Sequence, residues 1–257
     1  MITAVVAGAD VGEYALRLGD DALILAQRLG AWSACAPELE EDMALTNIAL
    51  DLLGQARNLL TIAGERFGTG QSEDDLAFLR DERQFRNLRI VELPNGDFAH
   101  TVVRQLLFST YQVALYDQLK HSSDDDLAAT AAKAVKEVAY HRDHAVKWTL
   151  RLGDGTDESH RRSATALAEL WPYSHELFES DELTQRLVAT GVAADPQALQ
   201  PAWQSFVTAV LDEATLTVPA SSSRRPSGGR RGDHGEVLGF LLAEMQWLYR
   251  SHPGATW

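Results

Sequence analysis

Apolar residues recur along most of this chain at the spacing of helices, and short breaks separate the recurring stretches. The longest stretches predict helices over about 13–34, 38–65, 97–121 and 124–152. Shorter helices are predicted over about 72–82, 157–180, 182–190, 197–216 and 234–251. No stretch alternates apolar and polar residues as a strand does, so the pattern predicts an all-α protein.

Proline, glycine and acidic residues mark where these helices begin and end. Pro94 with Asn95 and Gly96 is a strong turn signal, and Asp97 is a good N-cap for the third long helix. Gly153 closes the fourth long helix. Because the connections between the four long helices are short, we expect them to form an antiparallel bundle.

The domain prediction is a single helical domain over residues 1–257, because no linker separates the first four long helices from those that follow. Residues 1–12 are expected to be an N-terminal extension. Residues 219–233 are rich in Ser, Gly and Arg, and we expect a mobile loop there.

The fourth long helix carries a set of residues that resembles half of a metal site. Glu137, Tyr140, His141 and His144 follow the spacing i, i+3, i+4, i+7, which predicts that they share one helical face. In di-iron bundles, a Glu-x-x-His motif on each of two helices and a Glu on each of the other two hold the metal pair. Here Tyr140 stands where that motif has histidine.

The other half of such a site is incomplete. Asp51 on the second long helix is a suitable carboxylate, but Gly54 stands where histidine is needed. Asp20 or Asp21 on the first helix is the nearest equivalent of the lone glutamate. Glycine inside a helix costs about 1 kcal/mol relative to alanine, so we expect close packing at Gly54. The third long helix has no glutamate, and its polar candidates for the interior are Arg104, Gln105 and Gln112.

Two interpretations of these residues remain. The favoured one is the remnant of a metal site that no longer binds metal, in which Glu137, Asp51 and Tyr140 satisfy one another or Arg104 in a buried polar cluster. The alternative is a working di-metal site that uses Asp51, Glu137 and His141. The remnant set comprises Asp20, Asp51, Gly54, Glu137, Tyr140 and His141. The remaining histidines are expected at helix ends or on the surface: His100, His121, His160, His175, His234 and His252.

Composition narrows the choice of partner and compartment. The net charge is −14 and the pI about 4.9, which argues against nucleic acid or an anionic membrane as the main partner, because phosphate binding needs clustered Lys and Arg. Cys35 is the only cysteine, so a disulfide within the chain is impossible and a reducing cytoplasm is expected. The sequence has no basic segment typical of a signal peptide and no apolar run near the ~20 residues of a membrane helix.

Several ordered segments together resemble one known family. They include Leu18-Gly-Asp20, Asn47 to Asn58, Arg80-Asp-Glu-Arg-Gln-Phe85, Leu93 to Phe98, Lys136 to His141 and His234-Gly-Glu236. In combination they are similar to the C subunits of bacterial phenylacetyl-CoA epoxidase, the multicomponent ring-oxygenating enzyme of aerobic phenylacetate degradation. The resemblance runs from about residue 13 to the C-terminus.

The resemblance implies a ferritin-like fold and a structural, non-catalytic subunit that pairs with a related catalytic A subunit carrying a di-iron centre. It also implies a small B subunit and a reductase that uses flavin, an iron–sulfur cluster and NADPH. On this basis we expect no cofactor in this chain. The chain alone is expected to be capable of forming a homodimer.

Two alternatives to the function of a structural subunit remain. One is a di-iron oxygenase or ferritin-like iron protein that uses Asp51, Glu137 and His141, and the other is a general helical adaptor.

For the structural subunit, we expect the catalytic partner to bury the outward Leu, Phe and Tyr surface of the second and third long helices. The Arg-rich segment 224–231 is expected to be a solvated loop, and contact with an anionic partner surface or with CoA phosphates is its alternative.

Overall fold

A computed structural model describes residues 8–220 and 225–255, which form helices and connecting turns without any strand. The all-α prediction is therefore confirmed. In chain order the α-helices are α1 (Gly8–Gly30), α2 (Leu39–Phe67), α3 (Glu73–Phe78), α4 (Arg89–Glu92), α5 (Phe98–Leu119), α6 (Asp125–Gly153), α7 (Asp157–Leu170), α8 (Glu182–Ala189), α9 (Pro196–Glu213) and α10 (Glu236–Ser251). Short 3-10 helices span Glu82–Gln84, Trp171–Phe178 and Gly229–Arg231.

These helices divide into two compact units. The first unit contains the chain up to Pro94 and the segment from Gly228 onward, and the second spans Asn95 to Ser227. The prediction of one domain over 1–257 stays a prediction.

The first unit is built on the pair of long helices α1 and α2. Every residue of α1 from Tyr14 to Ala26 is buried, so this helix has no outward face along that length. Gly19 allows the two helices to approach closely, because a Cβ atom at this position would lie 2.9 Å from Leu60 Cδ2. The C-terminal helix α10 packs against α3, where the ring of Tyr249 stacks on Phe78 with centroids 5.0 Å apart.

The second unit is built on the pair α5 and α6, with α7 and α9 also packed against α5. Asp97 caps α5 by accepting a hydrogen bond from the His100 backbone N–H at 2.9 Å, as the sequence predicts. From α9, the buried indole of Trp203 donates to the Leu107 carbonyl oxygen at 2.8 Å. Because α6, α7 and α9 surround it, α5 is buried along almost its whole length.

The predicted helix over 157–180 changes type near its middle. It begins as α7 and continues from Trp171 as a 3-10 helix. Pro172 has no N–H to donate, and its ring opposes the carbonyl four residues earlier, so the α-helical pattern cannot continue through it. The short helix α4, which the sequence does not predict, fills the segment before the turn at Pro94.

Two further predicted segments differ in part from expectation. Of the N-terminal extension predicted over 1–12, residues 1–7 lie outside the described residues, and Gly8 to Gly12 belong to α1. Of the loop predicted over 219–233, residues 221–224 lie outside the described residues. The segment from Gly228 to Asp233 forms a tight turn, in which Gly232 has a φ of 77° and a Cβ would collide with the Arg83 carbonyl oxygen.

Within the described part of the chain, no helix is both long and apolar enough to cross a membrane.

Candidate functional site

The buried side of α6 contains one histidine in a line of mostly apolar residues. This line comprises Leu127, Ala131, Ala134, Val138, His141, Ala145 and Thr149. Steps of three or four residues keep these positions on one side of the helix. His141 is therefore fully buried, as its spacing predicts.

The other three residues predicted to share this face do not lie in that line. Glu137 and His144 are half-buried at its margins, and Tyr140 is 53% exposed. Each residue of a helix is rotated about 100° from its neighbour, so a side chain next to His141 in sequence points well away from it. Glu137 lies 3.6 Å from Lys133 Nζ, one turn earlier. The predicted shared face, and the predicted buried cluster, are therefore wrong at Tyr140.

On α2, the predicted packing around Gly54 is also wrong. Apart from the nearby backbone of α2 and the two neighbours of Gly54 in the chain, no atom lies within 4 Å of the place where its Cβ would stand. Close packing against another element of the described chain therefore does not explain this glycine. Asp51, three residues earlier, is half-buried. Gly54, which stands where the di-iron motif has histidine, therefore has no side chain to bind a metal and no close contact with another element.

Asp20 on α1 is fully buried, and protein donors occupy both of its carboxylate oxygens. Arg80 donates from Nη1 to Oδ2 at 2.9 Å and from Nη2 to Oδ1, and the Arg86 backbone N–H donates to Oδ2 at 2.8 Å. A guanidinium that meets a carboxylate through two parallel bonds forms one of the strongest polar contacts in proteins. The charge of Asp20 is therefore neutralised by an arginine of the same unit.

Asp21 is neutralised in the same way by a different arginine. Arg230 donates to its two oxygens at 2.7 and 3.1 Å, and the Leu88 backbone N–H donates to Oδ1 at 2.7 Å. Burial outweighs the effect of Arg230 and raises the pKa of Asp21 to about 6, so the carboxylate is charged and paired at neutral pH. Arg230 also donates to the carbonyl oxygens of Arg17 and Arg86, which ties the predicted loop to α1.

Glu92, at the end of α4, is a third buried carboxylate of the first unit. His234 Nδ1 lies 2.7 Å from its Oε2, the Gly235 N–H donates to Oε1 at 2.6 Å, and Asn87 Nδ2 donates to Oε2 at 3.0 Å. His234 Nε2 lies 3.0 Å from the Phe85 carbonyl oxygen. Since both ring nitrogens face acceptors, the ring donates both bonds only as an imidazolium.

The environment of His234 favours that charged form. Burial by itself lowers the pKa of His234, but the hydrogen bond to Glu92 and the charge of Glu92 outweigh it, and the pKa is raised. His234 lies at a helix end, as expected, but its ring is fully buried and not on the surface. This contact fastens the start of α10 to the segment around α4.

The third long helix matches its prediction. Arg104, Gln105 and Gln112 on α5 are all buried, and the helix contains no glutamate. Arg104 Nη2 donates to Asn95 Oδ1 at 2.6 Å. Arg104, Gln105 and Gln112 are cationic or amide groups, and none of them is the glutamate that a di-iron bundle needs from each of its helices.

These residues do not supply the ligand set of a di-iron bundle, which needs four carboxylates and two histidines. Gly54 has no donor, Tyr140 points outward, and Asp20 is committed to Arg80. In the described parts of the chain, no three His, Cys, Asp or Glu side chains are grouped so that they could hold a metal ion.

The sequence predicts no pairing role for Arg80, Arg230, Glu92 or His234. The sequence contains only indirect evidence of these pairs. Arg80 and His234 lie in segments that carry the family resemblance, and Arg230 lies among glycines. One of these, Gly229, packs so closely that a Cβ would collide with the Asn87 carbonyl oxygen.

The two pairs of long helices, α1 with α2 and α5 with α6, define the class of this chain as a ferritin-like helical protein. The chain belongs to the family described as phenylacetic acid catabolic protein, whose model matches residues 5–257. The ferritin-like fold of that family confirms the predicted fold.

A similar protein of known function also supports membership of this family. The chain is 52% identical over 244 residues to the C subunit of the 1,2-phenylacetyl-CoA epoxidase of Escherichia coli (strain K12). The match covers 95% of this chain and 98% of the relative. The resemblance seen in the sequence segments is therefore confirmed.

The buried pair of Arg80 and Asp20 makes a stability prediction. Arg80→Met leaves the Asp20 carboxylate buried without its guanidinium, so we expect the free energy of unfolding to fall by about 3–5 kcal/mol. Urea unfolding followed by circular dichroism measures the change. Arg161→Met, which removes an exposed pair with Glu158, is the matched control and should leave the unfolding midpoint nearly unchanged. Equal midpoints for the two variants would contradict the assigned role of Arg80.

The raised pKa of His234 predicts that the stability of the folded chain depends on pH. Its imidazolium stabilises the folded state fully below its unfolded pKa of about 6.5, and this stabilisation is lost as the pH rises through the higher folded pKa. Urea midpoints measured between about pH 6 and pH 9 should therefore fall more steeply for the wild type than for His234→Gln. Because both proteins keep Asp21, its titration cancels in the comparison. Parallel slopes would show that His234 is not held as an imidazolium.

Proposed function

We propose that this chain is the structural, non-catalytic subunit of a multicomponent 1,2-phenylacetyl-CoA epoxidase in aerobic phenylacetate catabolism. In this proposal it pairs with the catalytic A subunit, whose di-iron centre activates dioxygen. The named relative, which is the C subunit of such an epoxidase, supports the assignment to the enzyme. The observation that carries the non-catalytic role is that Gly54 and Tyr140 leave both histidine positions of the metal motif without a ligand.

An apolar outward face on α2 supports the pairing with another subunit. Four large side chains of this helix are between 37% and 73% exposed: Leu39, Met43, Leu50 and Leu53. Their steps of four, seven and three residues place them along one side of the helix, opposite the side that packs against α1. Several exposed apolar side chains on one side of a long helix are typical of a protein–protein contact.

The expectation that a partner buries outward aromatic residues of the third long helix is wrong. Phe108, Tyr111 and Tyr116 on α5 are buried within the chain itself, because α6, α7 and α9 pack around this helix. Its aromatic residues are therefore unavailable to a partner, and the proposed contact with the catalytic subunit rests on α2.

A rigid partner without metal has a physical use in such an enzyme. A di-iron site must hold many carboxylates in a fixed geometry, and a second bundle packed against the catalytic one can keep its helices in place. In this arrangement the flavin, the iron–sulfur cluster and NADPH belong to the reductase. A B subunit completes the complex, which acts in the cytoplasm.

The first test of the proposal is metal content. Purified alone, this chain should contain far less than the about two irons per chain of a di-iron protein, whereas the catalytic subunit purified in parallel retains its iron. The combined complex should keep its epoxidation rate when this chain carries Glu137→Ala. About two irons per chain, lost on Glu137→Ala, would overturn the proposal in favour of a di-iron protein that uses Asp51, Glu137 and His141.

The second test concerns the apolar face of α2. Leu50→Lys places a charge in the centre of that face, so we expect affinity for the catalytic subunit to fall at least about tenfold in size-exclusion and calorimetric titrations. Leu50 is exposed in this chain, so the variant should remain folded by circular dichroism. Tyr140→Lys, at a similarly exposed residue of α6, is the control and should bind like the wild type. Unchanged binding of Leu50→Lys would exclude this face as the contact.

A further inference from the structure

A buried charged contact, which we name the α10 clasp, holds the start of α10 to the end of α4. It consists of His234, Gly235 and Glu92, and the side chains of His234 and Glu92 are almost completely buried. His234 Nδ1 lies 2.7 Å from Glu92 Oε2, and the Gly235 N–H donates to Glu92 Oε1 at 2.6 Å. The subunit contact proposed above involves none of these residues, so the clasp is independent of it.

The α10 clasp is complete only while the His234 ring carries two protons. Nε2 of the ring lies 3.0 Å from the Phe85 carbonyl oxygen, so acceptors face both ring nitrogens. A neutral imidazole has one N–H and one lone pair. Whichever nitrogen loses its proton, its lone pair then faces an oxygen inside the protein. Buried acceptors without a donor destabilise the closed arrangement.

Charged groups surround the His234 ring on the elements packed against it. Apart from Asp20 and Glu92, they are Arg28 and Asp21 on α1, Glu82, Arg83 and Arg86 before α4, Arg89 on α4, Arg230 and Asp233 in the turn before the ring, and Glu236 on α10. Burial lowers the pKa of His234, but the contact with Glu92, the Phe85 carbonyl and the charge of Asp20 together raise it. Since Asp20 pairs with Arg80, Glu92 is the carboxylate that acts on the ring directly.

The packing of α10 allows its first turns to open separately. Only four of its 16 residues are buried: Leu238, Leu241, Leu242 and Gln246. In the second half, Gln246 Nε2 donates to the carbonyl oxygens of Ala77 and Arg80 at 3.1 and 3.0 Å. Near the start, besides the clasp, Arg28 Nη2 reaches the Val237 carbonyl oxygen at 3.5 Å. A helix end with few buried apolar contacts opens at a lower free energy than the whole protein.

We propose that the α10 clasp is a proton-dependent device, in which the His234 imidazolium keeps the first turns of α10 closed and loss of its proton lets them open locally. The start of α10 forms one wall of a groove of about 460 Å³, and the end of α1 forms the other. Opening therefore moves Phe240 and Leu241 away from Gln27 and Arg28.

Hydrogen exchange of the full-length chain between about pH 6 and pH 9, followed by mass spectrometry, tests this inference. A raised pKa favours the closed form fully below the pKa of the open form, about 6.5, and this preference declines until the pH reaches the pKa of the closed form. Within that window the opening constant of residues 238–242 should rise by up to about tenfold per pH unit. The rates are first divided by those of an unstructured peptide at the same pH.

Two variants show whether His234 causes this rise. His234→Gln removes the titrating ring, so its opening constant should stay level across the same window. His175→Gln replaces a histidine 3.5 Å from Glu179 in the second unit, and as the matched control it should keep the wild-type slope. Equal slopes for the wild type and His234→Gln would overturn the proposal. If His234→Gln does not fold, a wild-type profile without a slope would overturn it as well.

A comparison with α2 shows whether the opening is local. At pH 9 the opening constant of residues 238–242 should exceed that of the buried amides of α2 by at least about tenfold, because α2 exchanges only when more of the first unit unfolds. Low urea should accelerate exchange in α2 more than at the start of α10. Equal opening constants in the two segments would mean that α10 opens only by global unfolding, which contradicts a local device.

Discussion

The burial of two adjacent carboxylates on α1 is the constraint on which the first unit depends. Asp20 and Asp21 lie in a helix with no outward face along that length, so each requires a cation brought to it by the fold. Arg80 comes from 60 residues away and Arg230 from 209 residues away. The pairing with Arg230 holds the segment after the second unit against the helix that begins the chain, and Glu92 with His234 fastens the start of α10 in the same manner.

These pairs also connect the fold to the proposed role. A ferritin-like bundle that binds iron neutralises its inner carboxylates with the metal ions. Here arginine and histidine side chains neutralise the buried carboxylates Asp20, Asp21 and Glu92 of the first unit. A subunit stabilised in this way can brace a catalytic partner whether or not that partner is loaded with metal.

The two long helices that were expected to meet the partner differ in what the chain itself covers. On α5 the aromatic residues are enclosed by neighbouring helices, whereas α2 keeps a line of leucines and a methionine on its outer side. Gly54 on the same helix meets no other element of the described chain. The outward side of α2 therefore keeps apolar area exposed, which is the area that the proposed contact uses.

The sequence by itself determined the long helices, the cap at Asp97 and the family, because these follow from local spacing, from single residues and from ordered segments. It also placed His141 in the core, since the apolar steps of α6 pass through that position. Only the tertiary structure decided that Tyr140 points outward and that Gly54 meets no other element. The spacing shows which residues lie near one side of a helix, but only the packing of other helices decides which of them are buried. The partners of Asp20, Asp21 and Glu92 were likewise beyond reach, since contacts across tens or hundreds of residues leave no local period.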